Sequence, residues 1–188
     1  VPRISASSVE EHREQVHRRV FEAFAELMAE QSFDAITMAK LATAAGIGRT
    51  AIYHHFADKE AVIVEFASHE TSRYLEGLRT ALAVGNDPAQ RLRIYVRHQI
   101  ETGQQFHMGL GTQLYGALSP DAMVAIREHV VAVEEVLREI LADGAAADVF
   151  VVEDQAATVS LIHACLAPRH LPIAAIERFV LRALGATT

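Results

Sequence analysis

The chain has 188 residues, with 17 Lys and Arg against 24 Asp and Glu, a formal net charge of −7, an apolar fraction of 51% and one cysteine, Cys165. That length supports a sizeable core in one or two domains, and the abundance of Ala, Leu, Val and Glu favours an all-α fold. A single cysteine excludes an internal disulfide framework, no apolar run reaches membrane-spanning length and no secretory leader pattern opens the chain, so the composition reads as cytoplasmic with no membrane contact.

In chain order, the first predicted element is a long helix over 9–31, with Val16, Val20, Phe24, Leu27 and Met28 as its apolar stripe. Two short helices around a glycine turn then occupy Ile36 to Phe56. Thr37 suits an N-cap, because its hydroxyl can accept from a free N–H of the first turn. Ile36 and Leu41 stand at the two positions of a hydrophobic staple. Gly46 falls where a helix C-terminus calls for a left-handed residue. At about 100° per residue, the second short helix turns Gly48, Ile52, His55 and Phe56 inward and Thr50, Tyr53 and His54 outward, with Arg49 at the edge. A helix too short to stand alone, showing donors and a phenol to solvent, is built to press against a partner. Asp58 caps a further long helix reaching about Val84, whose first turns (Val62, Ile63, Phe66) pack back on this head.

The segment Ile36 to Glu60 closely resembles the DNA-binding region of the tetracycline-repressor (TetR) family of one-component bacterial regulators. In that family a helix-turn-helix is followed by a Tyr-x-x-Phe-x-x-Lys-Glu run, filled here by Tyr53, Phe56, Lys59 and Glu60. One departure is Gly48, where many relatives carry Ser or another capping side chain. The resemblance covers the chain to about residue 65 and implies a homodimeric regulator of transcription, most often a repressor. The implied architecture is an N-terminal three-helix helix-turn-helix DNA-binding domain, 1–66, and a C-terminal helical ligand-binding and dimerisation domain, 67–188. The implied partner is a pseudopalindromic double-stranded DNA operator, with Arg49 and Thr50 on base edges and Thr37, Tyr53, His54 and Lys59 on phosphates. Lys40 adds local positive charge.

The acidic balance does not oppose this reading. Residues 1–66 hold seven Lys and Arg against ten Asp and Glu, yet six of the acids lie on the first helix. The local field at the reading helix matters more than the sum.

Gly85-Asn86-Asp87-Pro88 is the strongest breaker in the chain. Helices are predicted over 88–106, 107–118, from Ser119 to about Asp143, over 151–167 and over 173–184, with Gly144 to Asp148 as a small-residue loop. Gln99 and His163 each interrupt the centre of an apolar stripe, and a buried amide or imidazole is costly unless bonded. Either they satisfy each other or the backbone as core residues, or they face a common cavity walled by Phe106, Met108 and Tyr115. The second alternative predicts a small, largely apolar effector with one or two polar atoms. The helix after Val151 is apolar nearly all round. Ala157, Leu161 and Ala164 then suit close packing against a second subunit, joined by Ile176 and Val180 of the last helix.

An enzyme is not expected, since His163 and Cys165 alternate on one helix and point apart. No cofactor is expected. The alternatives are a helical ligand-carrier, or a haem- or metal-binding dimer using His98, His107 and His163, that never touches DNA. Neither accounts for the exposed Tyr53, His54 and Lys59 behind a helix-turn-helix.

Overall fold

A computed structural model describes residues 6–106, 117–167 and 170–186. Every regular element among them is helical: α1 (Ala6–Glu30), a 3-10 turn (Phe33–Ala35), α2 (Met38–Ala44), α3 (Arg49–His55), α4 (Lys59–Leu82), α5 (Pro88–Phe106), α6 (Pro120–Ala146), α7 (Gln155–Leu166) and α8 (Ile173–Ala183). The expected helix over 107–118 falls largely outside the described residues.

Local signals set most of the boundaries. Thr37 caps α2, its Oγ1 accepting from the Lys40 amide at 3.2 Å. Asp58 caps α4 and Asp154 caps α7, their carboxylates accepting from the amides of Ala61 and Ala157 at 2.8 and 3.0 Å. At α5, Asp87 accepts from the Gln90 amide while the Gln90 side chain accepts from the Asn86 amide, each at 2.8 Å, a reciprocal closure of the helix start. Two boundaries differ from expectation. Helix α6 runs through Gly144 to Ala146, and the Phe150 ring folds into the space where a Cβ on Gly144 would stand. Helix α7 begins at Gln155 rather than 151, and Val151 instead donates its amide to the Leu184 carbonyl at 2.8 Å.

The chain forms two compact units, Val1–His69 with Gly109–Ile126, and Glu70–Met108 with Arg127–Thr188. The first is thus not one continuous stretch ending near Ala67. Ala117, Leu118 and Ile126 pack on its core, and Ser119 donates its amide and hydroxyl to the two carboxylate oxygens of Glu60. That core gathers Val20 and Phe24 of α1, Leu41 of α2, Ile52 of α3, Phe56, and Val62 and Ile63 of α4, each 2% exposed or less. The second unit has its own core around Leu78, Leu92, Tyr95, Leu137 and Ile140. Helices α4 and α6 each begin in the first unit and end in the second.

Candidate nucleic-acid interface and sensor core

The turn between α2 and α3 closes as two bonds, Ile47 N–H to Ala42 O at 2.9 Å and Gly46 N–H to Thr43 O at 3.2 Å. This is the paired closure of a Schellman motif. It needs a left-handed residue, and Gly46 has φ +63. The turn aims α3 so that Ile52 is fully buried and Phe56, its C-cap, is 1% exposed, while Arg49, Thr50 and His54 are exposed and Tyr53 is 51% exposed. Gly48 caps α3 with no side-chain bond and stands exposed, not inward as its helical position suggested.

Thr37, the N-cap of α2, is exposed. The two lysines assigned to the DNA-binding face have partners within the chain. Lys40 Nζ donates to Gln31 Oε1 at 2.9 Å and to the Ala35 carbonyl at 2.8 Å. Lys59 Nζ donates to the Phe33 carbonyl at 3.2 Å, lies 4.3 Å from the Phe33 ring centroid and is 4.0 Å from Asp34 Oδ1. Both ammonium groups therefore hold the 3-10 turn.

Behind α3, His17 of α1 packs on the Phe56 ring at 4.6 Å between centroids and edge-on to His55 at 5.4 Å. Its Nδ1 lies 3.3 Å from Glu65 Oε2. Burial holds the His17 imidazole below its ordinary pKa, and the nearby Arg13 cation lowers it further. Burial likewise lowers His55, reinforced by His17, and raises Glu65.

In the second unit, Gln99 and His163 converge on one atom. Gln99 Nε2 donates to the Tyr95 hydroxyl oxygen at 2.9 Å, and that hydroxyl lies 3.0 Å from His163 Nε2. Burial pushes the Tyr95 phenol well above its usual range, so it keeps its proton. A phenol that accepts from Gln99 can also donate to His163 Nε2 in the tautomer that carries its proton on Nδ1. His163 Nδ1 lies 4.0 Å from Glu134 Oε1. Glu134 in turn accepts from Arg138 at 3.1 Å. The sequence reading missed Tyr95, although it shares a stripe with Leu92, Val96 and Gln99. Of the other expected ligand-lining residues, Met108 and Tyr115 lie outside the described residues, as does the Phe106 side chain. Among the described residues no group of three or more His, Cys, Asp or Glu is placed to hold a metal ion.

Helices α7 and α8 enclose an open groove of about 950 Å³. Ala157, Leu161 and Ala164 line it, Leu161 at 67% exposure. Ile176 and Val180 also line it, but at 4% and 2% exposure they pack mainly on the chain's own core. The large apolar side chain that α8 leaves exposed is Phe179, at 62%, which the sequence reading of Ile176 and Val180 passed over.

Residues 20–66 match the model for bacterial regulatory proteins of the tetR family, and residues 88–178 match that for tetracyclin repressor-like C-terminal domains. The chain belongs to the TetR family. A helix-turn-helix-type transcriptional repressor of Mycobacterium tuberculosis is 33% identical over 73 residues, which are 39% of this chain and 37% of that protein. The chain thus matches little more than a third of that relative's length. Among solved structures, the fatty acid degradation regulator FadR of Bacillus halodurans superposes with a TM-score of 0.75 at 20% identity, covering 90% of this chain and 94% of its own. The TetR family regulator PfmR of Thermus thermophilus gives 0.67 at 25% identity, covering 90% and 99%. The TetR fold therefore extends over both units, well beyond the reading head that carried the sequence resemblance.

Proposed function

We propose that this TetR family member is a homodimeric repressor that leaves a pseudopalindromic operator when a small molecule binds its second unit. The observation that carries this reading is the outward face of α3. Arg49, Thr50, Tyr53 and His54 stand exposed on a seven-residue helix whose opposite side, at Ile52, is fully buried. Arg49 and Thr50, at the start of the helix, are assigned to base edges, where an N-terminal part of a recognition helix meets the major groove. Tyr53, His54 and Thr37 are assigned to the phosphates alongside.

The α7–α8 groove is assigned to the second subunit, which would cover Leu161 and Phe179 and place two reading heads about one helical turn of DNA apart. The effector is assigned to the neighbourhood of Gln99, Tyr95 and His163, with Phe106, Met108 and Tyr115 as further walls. A small, largely apolar molecule with one or two polar atoms suits that composition.

Operator selection from a random duplex pool, run with the wild type and with Thr50→Ala, tests the reading-head assignment. The expected result is an altered base preference at one symmetric pair of positions, worth about 1–3 kcal/mol per base contact. An unchanged consensus would remove Thr50 from the interface.

A further inference from the structure

We infer that Thr71 of α4 and His98 of α5 form the polar end of a ligand site in the second unit, and that its ligand is an uncharged molecule bearing a hydroxyl or carbonyl oxygen. This inference rests on the effector reading above, and names the anchoring atoms and the ligand class within it.

Thr71 is 4% exposed, and its Oγ1 has no hydrogen-bond partner among the described residues. A helical hydroxyl can always discharge itself on the carbonyl one turn back. Thr43, Thr80, Thr102, Thr158 and Ser160 all do so, at 2.6 to 3.0 Å. Thr71 does not. About one turn further along α4, the Tyr74 ring packs on the His98 ring with centroids 5.0 Å apart. His98 Nε2 is likewise buried with no partner among the described residues. The polar side chains next along α5 and on α7 are already provided for. Gln99 Nε2 donates to the Tyr95 hydroxyl at 2.9 Å, and that hydroxyl lies 3.0 Å from His163 Nε2. Leaving a buried polar atom unbonded is costly, and folded chains rarely do it without a use for it. Thr71 and His98 therefore have a partner to gain, and a bound molecule can supply it.

Charge decides the ligand's class. Burial holds the His98 imidazole below its ordinary pKa and so favours its neutral form. A neutral imidazole and a hydroxyl can each either donate or accept. The two acids whose fields reach the His98 and Tyr95 rings offer no buried counter-charge. Glu134 is bonded to Arg138 at 3.1 Å, and Glu101 is exposed. A carboxylate or ammonium on the ligand would thus be buried without an opposite charge, a cost that one hydrogen bond does not offset. An alcohol, phenol or ketone oxygen suits both groups.

The test uses matched probes on two apolar frames: octanol, octanoate and octyltrimethylammonium, then acetophenone, benzoate and benzyltrimethylammonium. Direct binding at neutral pH and release from a selected duplex are measured for wild type, Thr71→Val and His98→Phe. Urea denaturation of each ligand-free protein accompanies them. Octanol or acetophenone is expected to bind, with its charged counterparts about tenfold weaker or worse. Each substitution is expected to weaken the neutral probe about two- to tenfold, the scale of one hydrogen bond. The ligand-free urea midpoints should be equal or higher, because an apolar side chain of similar shape strands no polar atom. Midpoints lowered in both variants would show that the two groups are already bonded without a ligand, and would overturn the inference. So would tighter binding of the charged probes, no binding of either neutral one, or neutral binding unchanged in both variants. Neutral binding that depends on both residues, with no release of the duplex, would leave this site standing and contradict the release mechanism proposed above.

Discussion

Gly46 and His17 are the residues on which the reading head's geometry most visibly depends. Gly46 holds φ +63, and a Cβ added there would meet no atom within 4 Å. The cost of Gly46→Ala is therefore conformational, about 1–2 kcal/mol for a left-handed residue bearing a Cβ, and Gly46→Asn should cost less. Urea denaturation of the three proteins checks this order; equal stabilities would show that the turn relaxes freely. His17, His55, His98 and His129 are all held below the ordinary imidazole pKa, first by burial. The fold thus favours their neutral forms. Their contribution is complete above the unfolded value of about 6.5 and declines as pH falls through it toward the lower folded values. Glu65, raised by burial, acts in the opposite sense from about pH 4.3 upward. Melting temperature should fall between about pH 7.5 and 5.5, and less steeply in His17→Phe. A flat profile, or one that rises on acidification, would contradict the assignment. At this scale the sequence was legible where chemistry is local: Thr37, Gly46 and Asp58 act within four residues of themselves. It was silent on Tyr95 and on the grip of Lys59, since each meets partners that only folding brings near.

The elements were readable in the same measure. Caps and breakers marked α2, α4 and α5, but α7 is apolar nearly all round, so periodicity gave no sharp start and Asp154 went unnoticed as its cap. Gly144 suggested a helix stop, yet the Phe150 ring folds over it and the helix continues. On α8, Ile176 and Val180 belong mainly to the chain's own core, leaving Phe179 outward beside Leu161. Leu161 and Phe179 at 67% and 62% exposure are large side chains to leave in water, and about 25 cal/mol per Å² of apolar surface favours covering them. Leu161→Glu should place an unpaired charge in the covered groove at about 3–5 kcal/mol and yield monomers in sedimentation at micromolar concentration. A Leu161→Glu protein that remains dimeric would put the subunit contact elsewhere.

For the whole molecule, the proposed switch needs the two units to share a mechanical element, and α4 and α6 each contribute to both. Glu60, bonded to Ser119 just ahead of α6, joins the first turns of these two helices within the first unit. An effector that favours one arrangement of α4 and α6 then has a route to the reading helix, with a coupling of about 1–3 kcal/mol typical of such systems. The same linkage requires DNA to weaken effector binding by the same factor. All of this rests on α3 reading DNA as one of a symmetric pair. Operator selection with the wild-type protein, followed by sedimentation of the complex on the selected duplex, tests that most directly. The account predicts a two-fold consensus whose half-sites lie about one helical turn apart, occupied by two chains. Recovery of no preferred sequence, or a single asymmetric half-site bound by one chain, would contradict it.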